Sequence, residues 1–174
     1  MTKFSIEKSL EVLQQTPETL DSLLNGLSDD WIFSNEGEGT WSPYDVIGHL
    51  IHGEKTDWIP RLRQTLFDEN KVFTPFDRFA QFEISKGKSL SQLLSEFQVL
   101  RKENLDYLKS LNLSESDFEK EGIHPEFGPI TIKQLLATWV THDLGHIAQI
   151  SRVMAKQYKN EVGPWTAYIS ILNQ

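Results

Sequence analysis

The chain has 174 residues, 39% hydrophobic and 24% charged, with a formal charge of −8; that mixture suits a folded domain, and with no basic run to neutralise phosphates it excludes a nucleic-acid partner. It contains no cysteine, which excludes disulfides, thiolate nucleophiles and Cys-ligated zinc, so any metal must rest on histidine, carboxylate or water. No stretch approaches the ~20 uninterrupted apolar residues of a membrane span, and Met1-Thr2-Lys3-Phe4 lacks the apolar core of a signal peptide, so the expectation is a cytoplasmic protein with no membrane partner.

Helical periodicity runs through the chain. Phe4, Leu10, Leu13, Leu20, Leu23, Leu24 and Leu27 recur at spacings near three and four and predict a first helix over roughly residues 3 to 25, bent or split at Pro17 and stopped by Gly26. Residues 34 to 40 are a loop of breakers, after which Ser42 caps a second helix with Pro43 at its first position and Asp45 in its first turn. His49 falls two turns inside, and Pro60 should kink or interrupt the helix before Arg61. The segment from Phe67 to Gly87 reads as a loop carrying a short helix. Ser89 and Gln92 form a capping box for a third helix, whose stripe runs through Leu93, Phe97 and Leu105 to Leu111. His124-Pro125 and Gly128-Pro129 then predict an extended connection over residues 112 to 130. Thr131 and Gln134 open a fourth helix that presents Leu135, Trp139, His142, His146, Ile150 and Val153 on one face. Four amphipathic helices without alternating strands or repeats predict an all-α fold, a four-helix bundle in one domain over residues 1–174, with ligand sites built from facing helices.

His142 and His146 stand four apart, so their side chains lie about 40° from each other on one helical face. A lone histidine on an apolar face is more often a hydrogen-bonded core residue, and His49 taken alone reads that way. For the pair, that explanation needs two separate partners in a dry interior, which favours a metal. A third imidazole from another helix would complete three neutral nitrogen ligands and leave a position open, as in catalytic zinc sites. His-Asp-Leu-Gly-His also resembles the His-Glu-x-x-His of zinc proteases, but Asp143 replaces the glutamate with a shorter arm, which argues against that chemistry.

Trp41-Ser42-Pro43-Tyr44-Asp45-Val46-Ile47-Gly48-His49-Leu50, His142-Asp143-Leu144-Gly145-His146-Ile147-Ala148-Gln149-Ile150 and the closing Gly163-Pro164-Trp165, taken in order, resemble the DinB/YfiT-like superfamily. The resemblance implies a four-helix bundle and one divalent ion held by His49, His142 and His146. Three departures bear on substrate and surroundings rather than on the triad: His52 stands where the family often has an acidic or small polar residue, Gly145 where a second histidine is common, and Ala148 where glycine is frequent. The resemblance further implies low-molecular-weight thiols such as bacillithiol or mycothiol as cosubstrates, and the lack of cysteine fits a nucleophile that arrives from outside. The leading expectation is therefore a metal-dependent transferase joining such a thiol to a small electrophile, with a metal-water hydrolase second. A non-enzymatic metal-binding bundle acting in stress or through a partner protein is the competing class, and a homodimer is compatible with either.

Three imidazoles suit zinc or nickel first, with iron, manganese and cobalt also compatible. His52 reads as a surface or supporting residue, since a fourth imidazole would close the position catalysis needs. Gln149, three residues after His146, is placed to hydrogen-bond a ligand or bound water, unless it is a surface amide. Trp41 and Trp139 wall the pocket or fill the core. His124 reads as solvated or pocket-lining, and Glu54 and Asp57 as solvated helix charges.

Overall fold

Hydroxyl side chains start each of the long helices. In the computed structural model, which describes residues 3–174, the Ser5 hydroxyl accepts from the Lys8 N–H and opens α1 (Ile6–Leu24), and the short α2 (Asp29–Phe33) follows. Ser42 and Asp45 cap each other's backbone at the start of α3 (Pro43–Thr56), which continues past a break as α4 (Trp58–Phe67). The one-and-a-half-turn α5 (Ala80–Ser85) precedes α6 (Leu90–Ser110), capped reciprocally by Ser89 and Gln92. After α7 (Glu115–Phe118), Thr131 and Gln134 form the same box at the head of α8 (Ile132–Gln157). Such caps satisfy N–H groups that the first turn leaves orphaned, each by about 1 kcal/mol.

The bundle consists of α1, α3 with α4, α6 and α8. Its core has one cluster around Leu13, Trp58, Leu62, Leu105, Leu136 and Trp139, and a second around Leu20, Val46, Ile47, Phe97 and Ile150. At ~1.5–3 kcal/mol for each fully buried large side chain, these residues dominate the gross driving force. No helix among the described residues is long and apolar enough to cross a membrane.

Pro17 neither bends α1 into two helices nor ends it. A proline cannot donate to the carbonyl four residues back, here that of Leu13. The Arg101 guanidinium reaches over from α6 and donates to that oxygen at 2.9 Å. Pro60 acts on its neighbours instead: it sits in the first turn of α4, where no N–H is required, and the helix breaks three residues earlier at Asp57.

Residues 112 to 130 are more ordered than the Pro and Gly content suggests. Besides α7 they form a hairpin of β1 (Glu121–His124) and β2 (Gly128–Thr131), with Glu121 opposite Thr131 and His124 opposite Gly128. Pro129 faces Ile123, whose own N–H and C=O are committed to the other edge, bonding Lys71 and Phe73 at 2.8 and 2.9 Å. The missing proline N–H is therefore not asked for. Gly122 lets β1 lie on α4: a Cβ there would stand 2.3 Å from the Phe73 ring and 2.6 Å from Thr65 Oγ1.

Candidate metal centre

The histidines of α3 and α8 meet between the two helices. His142 Nε2 lies 3.1 Å from Nε2 of His49 and 3.1 Å from Nε2 of His146. Nitrogens that each lie ~2.0–2.1 Å from a common ion are separated by about 3 to 3.5 Å; both pairs through His142 meet that spacing and the ligand nitrogens of all three rings lie within 4.8 Å of one another, so a small adjustment of the rings would seat one divalent ion. Burial pushes His49 and His142 down to about 3, helped by the adjacent imidazoles, and lowers His146 as well. All three are then neutral near pH 7, the form that ligates. The Gln149 amide oxygen accepts from His146 Nδ1 at 2.8 Å, which fixes the proton on Nδ1 and turns the Nε2 lone pair toward the centre. Trp41 covers the site, its ring 4.8 Å from that of His49 and stacked 6.4 Å from that of His146.

His52 is not part of this cluster. About 60° further round α3 than His49, it is buried rather than on the surface, its ring 4.6 Å from Phe76. Gln81, which the sequence did not single out, is fully buried on α5 beside His49, with both amide atoms unpaired and His49 Nδ1 unpaired as well. A turn of that carboxamide would give the His49 N–H an acceptor.

Glu54 is not a solvated charge. It is 2% exposed, and Arg101, from α6, donates to its Oε1 from Nε at 3.0 Å and Nη2 at 2.8 Å. The same guanidinium holds Asp143 at 2.6 and 3.1 Å. Trp139 Nε1 donates to Glu54 Oε1 and Asn104 Nδ2 to Oε2, so Trp139 belongs to this buried network and not to a pocket wall. Burial raises Glu54; burial would lower Arg101, but the two carboxylates outweigh it and hold the guanidinium charged. The network lies directly behind the centre, since Asp143 follows His142 on α8. Arg101 and Asp143 carried a signal in the sequence: each sits four residues after a buried aromatic, Phe97 and Trp139, on a stripe that periodicity reserves for apolar side chains.

From His49 and His142 a cleft of about 300 Å³ runs between α3 and α8 toward the hairpin. Trp58, Phe76, Ile130 and Leu135 make its walls mostly apolar. Asp57 lies at its far end and is buried, paired with Arg61 Nε at 2.6 Å. Burial pushes the Asp57 carboxyl up to about 6 against the pull of Arg61. His124 also lines the cleft; its Nδ1 accepts from the N–H groups of Glu126 and Phe127 at 3.2 and 3.4 Å.

Comparison with known proteins gives a consistent answer. Residues 13–150 match the DinB superfamily. A candidate metal-dependent hydrolase of Oceanobacillus iheyensis is 25% identical over 158 residues, covering 90% of both chains. The candidate metal-dependent hydrolase YfiT of Bacillus subtilis is 25% identical over 156 residues, covering 88% of this chain and 86% of its own. The solved YfiT structure, described as having an unusual four-helix bundle topology, superposes with a TM-score of 0.74 at 23% identity, over 94% of this chain and 90% of that one. A DinB-like protein from Bacillus cereus gives 0.59 at 18% identity, over 87% and 92%.

Proposed function

Because this chain belongs to the DinB superfamily and gathers three imidazoles at the head of a cleft, we propose that it is a metal-dependent enzyme acting on a small molecule, with His49, His142 and His146 as the ligands of one divalent ion. The observation that carries the reading is the convergence of three neutral imidazoles, His142 Nε2 lying 3.1 Å from Nε2 of both His49 and His146, beside an open apolar cleft. An ion there supplies Lewis acidity, which brings a thiol or a water to its anion near neutral pH. The chain's own residues do the rest. Gln149 holds the His146 tautomer. Trp41 keeps solvent from the back of the rings, and Trp58 and Phe76 bind an apolar body and exclude water from it.

The reaction we assign is transfer of the substrate's electrophilic carbon to a low-molecular-weight thiol of the bacillithiol or mycothiol type. The absence of cysteine supports a nucleophile brought by a cosubstrate. Zinc or nickel is the ion we expect. Hydrolysis is the second reading, favoured by the descriptions of the Oceanobacillus and Bacillus relatives. The test is elemental analysis beside an activity assay. Wild-type protein should carry about one equivalent of divalent metal, and His146→Ala should carry none. With 1-chloro-2,4-dinitrobenzene, the thiolate displacing chloride, conjugation should require both metal and added thiol. Unchanged metal in His146→Ala rejects the triad, while equal rates in the metal-free variant reject the enzyme.

A further inference from the structure

The cleft has two ends of different chemistry, and their spacing follows from helix geometry. On α3 and its cap, His49, Gly53 and Asp57 succeed one another at intervals of four; on α8, running the other way, His142, Thr138 and Gln134 do the same. Both ladders leave the histidines in one direction and extend two turns, about 12 Å along the axes. The middle rung on α3 is glycine, and the Trp58 indole packs over it: an added Cβ there would stand 3.2 Å from Trp58 Nε1.

The far end is built for hydrogen bonding without net charge. Arg61 is committed to Asp57 Oδ1 at 2.6 Å, to the Thr74 carbonyl at 3.3 Å and to the Phe73 face at 5.2 Å, so its charge is cancelled locally. Asp57 lines the cleft, and since its Oδ1 is sealed from solvent beside Arg61, Oδ2 is the oxygen we assign as the acceptor there. His124 Nδ1 is occupied by two backbone N–H groups, so in the neutral ring Nε2–H is the free donor. An acceptor and a donor thus line the same apolar channel.

We infer that this end is a recognition subsite for an uncharged head group that both donates and accepts a hydrogen bond, a hydroxyl or primary amide. The substrate is accordingly an elongated molecule: a reacting centre at the histidines, an apolar middle, and a polar terminus about two helical turns away. This rests on the metal-enzyme reading. It goes beyond that reading in assigning Asp57 and His124 to specificity and in fixing the length of the substrate.

Hydroxamic acids test it, because the hydroxamate anchors on a protein-bound divalent ion and the chain must then follow the cleft. Calorimetry on the zinc-loaded protein would compare acetohydroxamate, linear alkanohydroxamates of four to ten carbons, and the same chains with a terminal hydroxyl. The hydroxyl should raise affinity about five- to tenfold at one intermediate length and lower it at shorter and longer ones. That gain, read within each protein as the ratio of hydroxylated to plain chain, should disappear in Asp57→Ala and in His124→Phe. The second variant alters an exposed hairpin and serves if the first does not fold. If acetohydroxamate does not bind, the metal reading falls and the subsite falls with it. If it binds but no hydroxylated chain gains, or the gain survives both variants, the subsite alone is overturned.

Discussion

Removing the Arg101 guanidinium would leave the Glu54 and Asp143 carboxylates without a counter-charge in a place where neither is more than 2% exposed. Arg101→Met is therefore expected to lower stability by about 3–5 kcal/mol in urea denaturation. Combining it with Glu54→Gln and Asp143→Asn should restore much of that loss; a single variant within ~1 kcal/mol of wild type would show that the network does not hold the bundle. Gln149, by its contact with His146, acts in the proposed reading on the metal rather than on the fold. Gln149→Leu should weaken metal affinity about 10–100-fold with the melting temperature of the metal-free protein unchanged. The two kinds of residue were unequally legible. His142 and His146 announced themselves by spacing, and the motif resemblance supplied His49. Glu54 and Asp57 look like ordinary exposed charges in a helix, because periodicity gives the face a side chain occupies but not what another helix brings against it. The partner of Glu54 stands 47 residues away.

The hairpin and the loop before α3 each have one tight feature that can be tested. At Gly122, an added methyl would enter the space of the Phe73 ring, so Gly122→Ala should cost about 1–3 kcal/mol by thermal or urea unfolding. An unchanged stability would mean the hairpin is not docked this way. The loop is clamped by Glu36, which takes Arg152 at 2.9 and 2.8 Å and Lys156 at 2.9 Å. The Arg152 hydrogen bonds hold its carboxyl down to about 2 from an ordinary 4.5. Its ionised form is thus stabilised by folding, and the contribution is present above pH 4.5 and is lost as pH falls through 2. Glu36→Gln should cost about 1–2 kcal/mol at pH 7, less than the full shift implies because the partners are part-exposed, and the difference from wild type should close as pH drops toward 2. A gap independent of pH would assign the effect to packing. Long helices were readable because their caps and stripes are local. The four-residue strands were not: they are too short to show alternation, they carry Pro129, and the outer edge of β1 is held by Lys71 and Phe73, about 50 residues upstream in sequence.

At the scale of the molecule, the proposed metal centre and the polar network lie on successive layers of the same helices, and only the first is built of neutral donors that an ion would join. The network already ties α3, α6 and α8 together by charge and hydrogen bonds. Chelation should therefore leave helical circular dichroism intact and unfolding cooperative, with a fall in melting temperature no larger than binding linkage requires. Loss of helicity on chelation would instead give the ion a structural part. The bundle as a whole was legible from four amphipathic stripes and their caps; the cleft was not, because its walls come from the break at Asp57 and from the hairpin. Pro17 carries this connectedness into the order of assembly. The Leu13 carbonyl of α1 has no partner of its own, and the one it uses is 88 residues later, on a side chain oriented by Asp143 of the last long helix. A growing chain that has reached only α6 holds an arginine still lacking one of its two carboxylates, so the contact that completes the first helix is fully oriented only once the last long helix is in place.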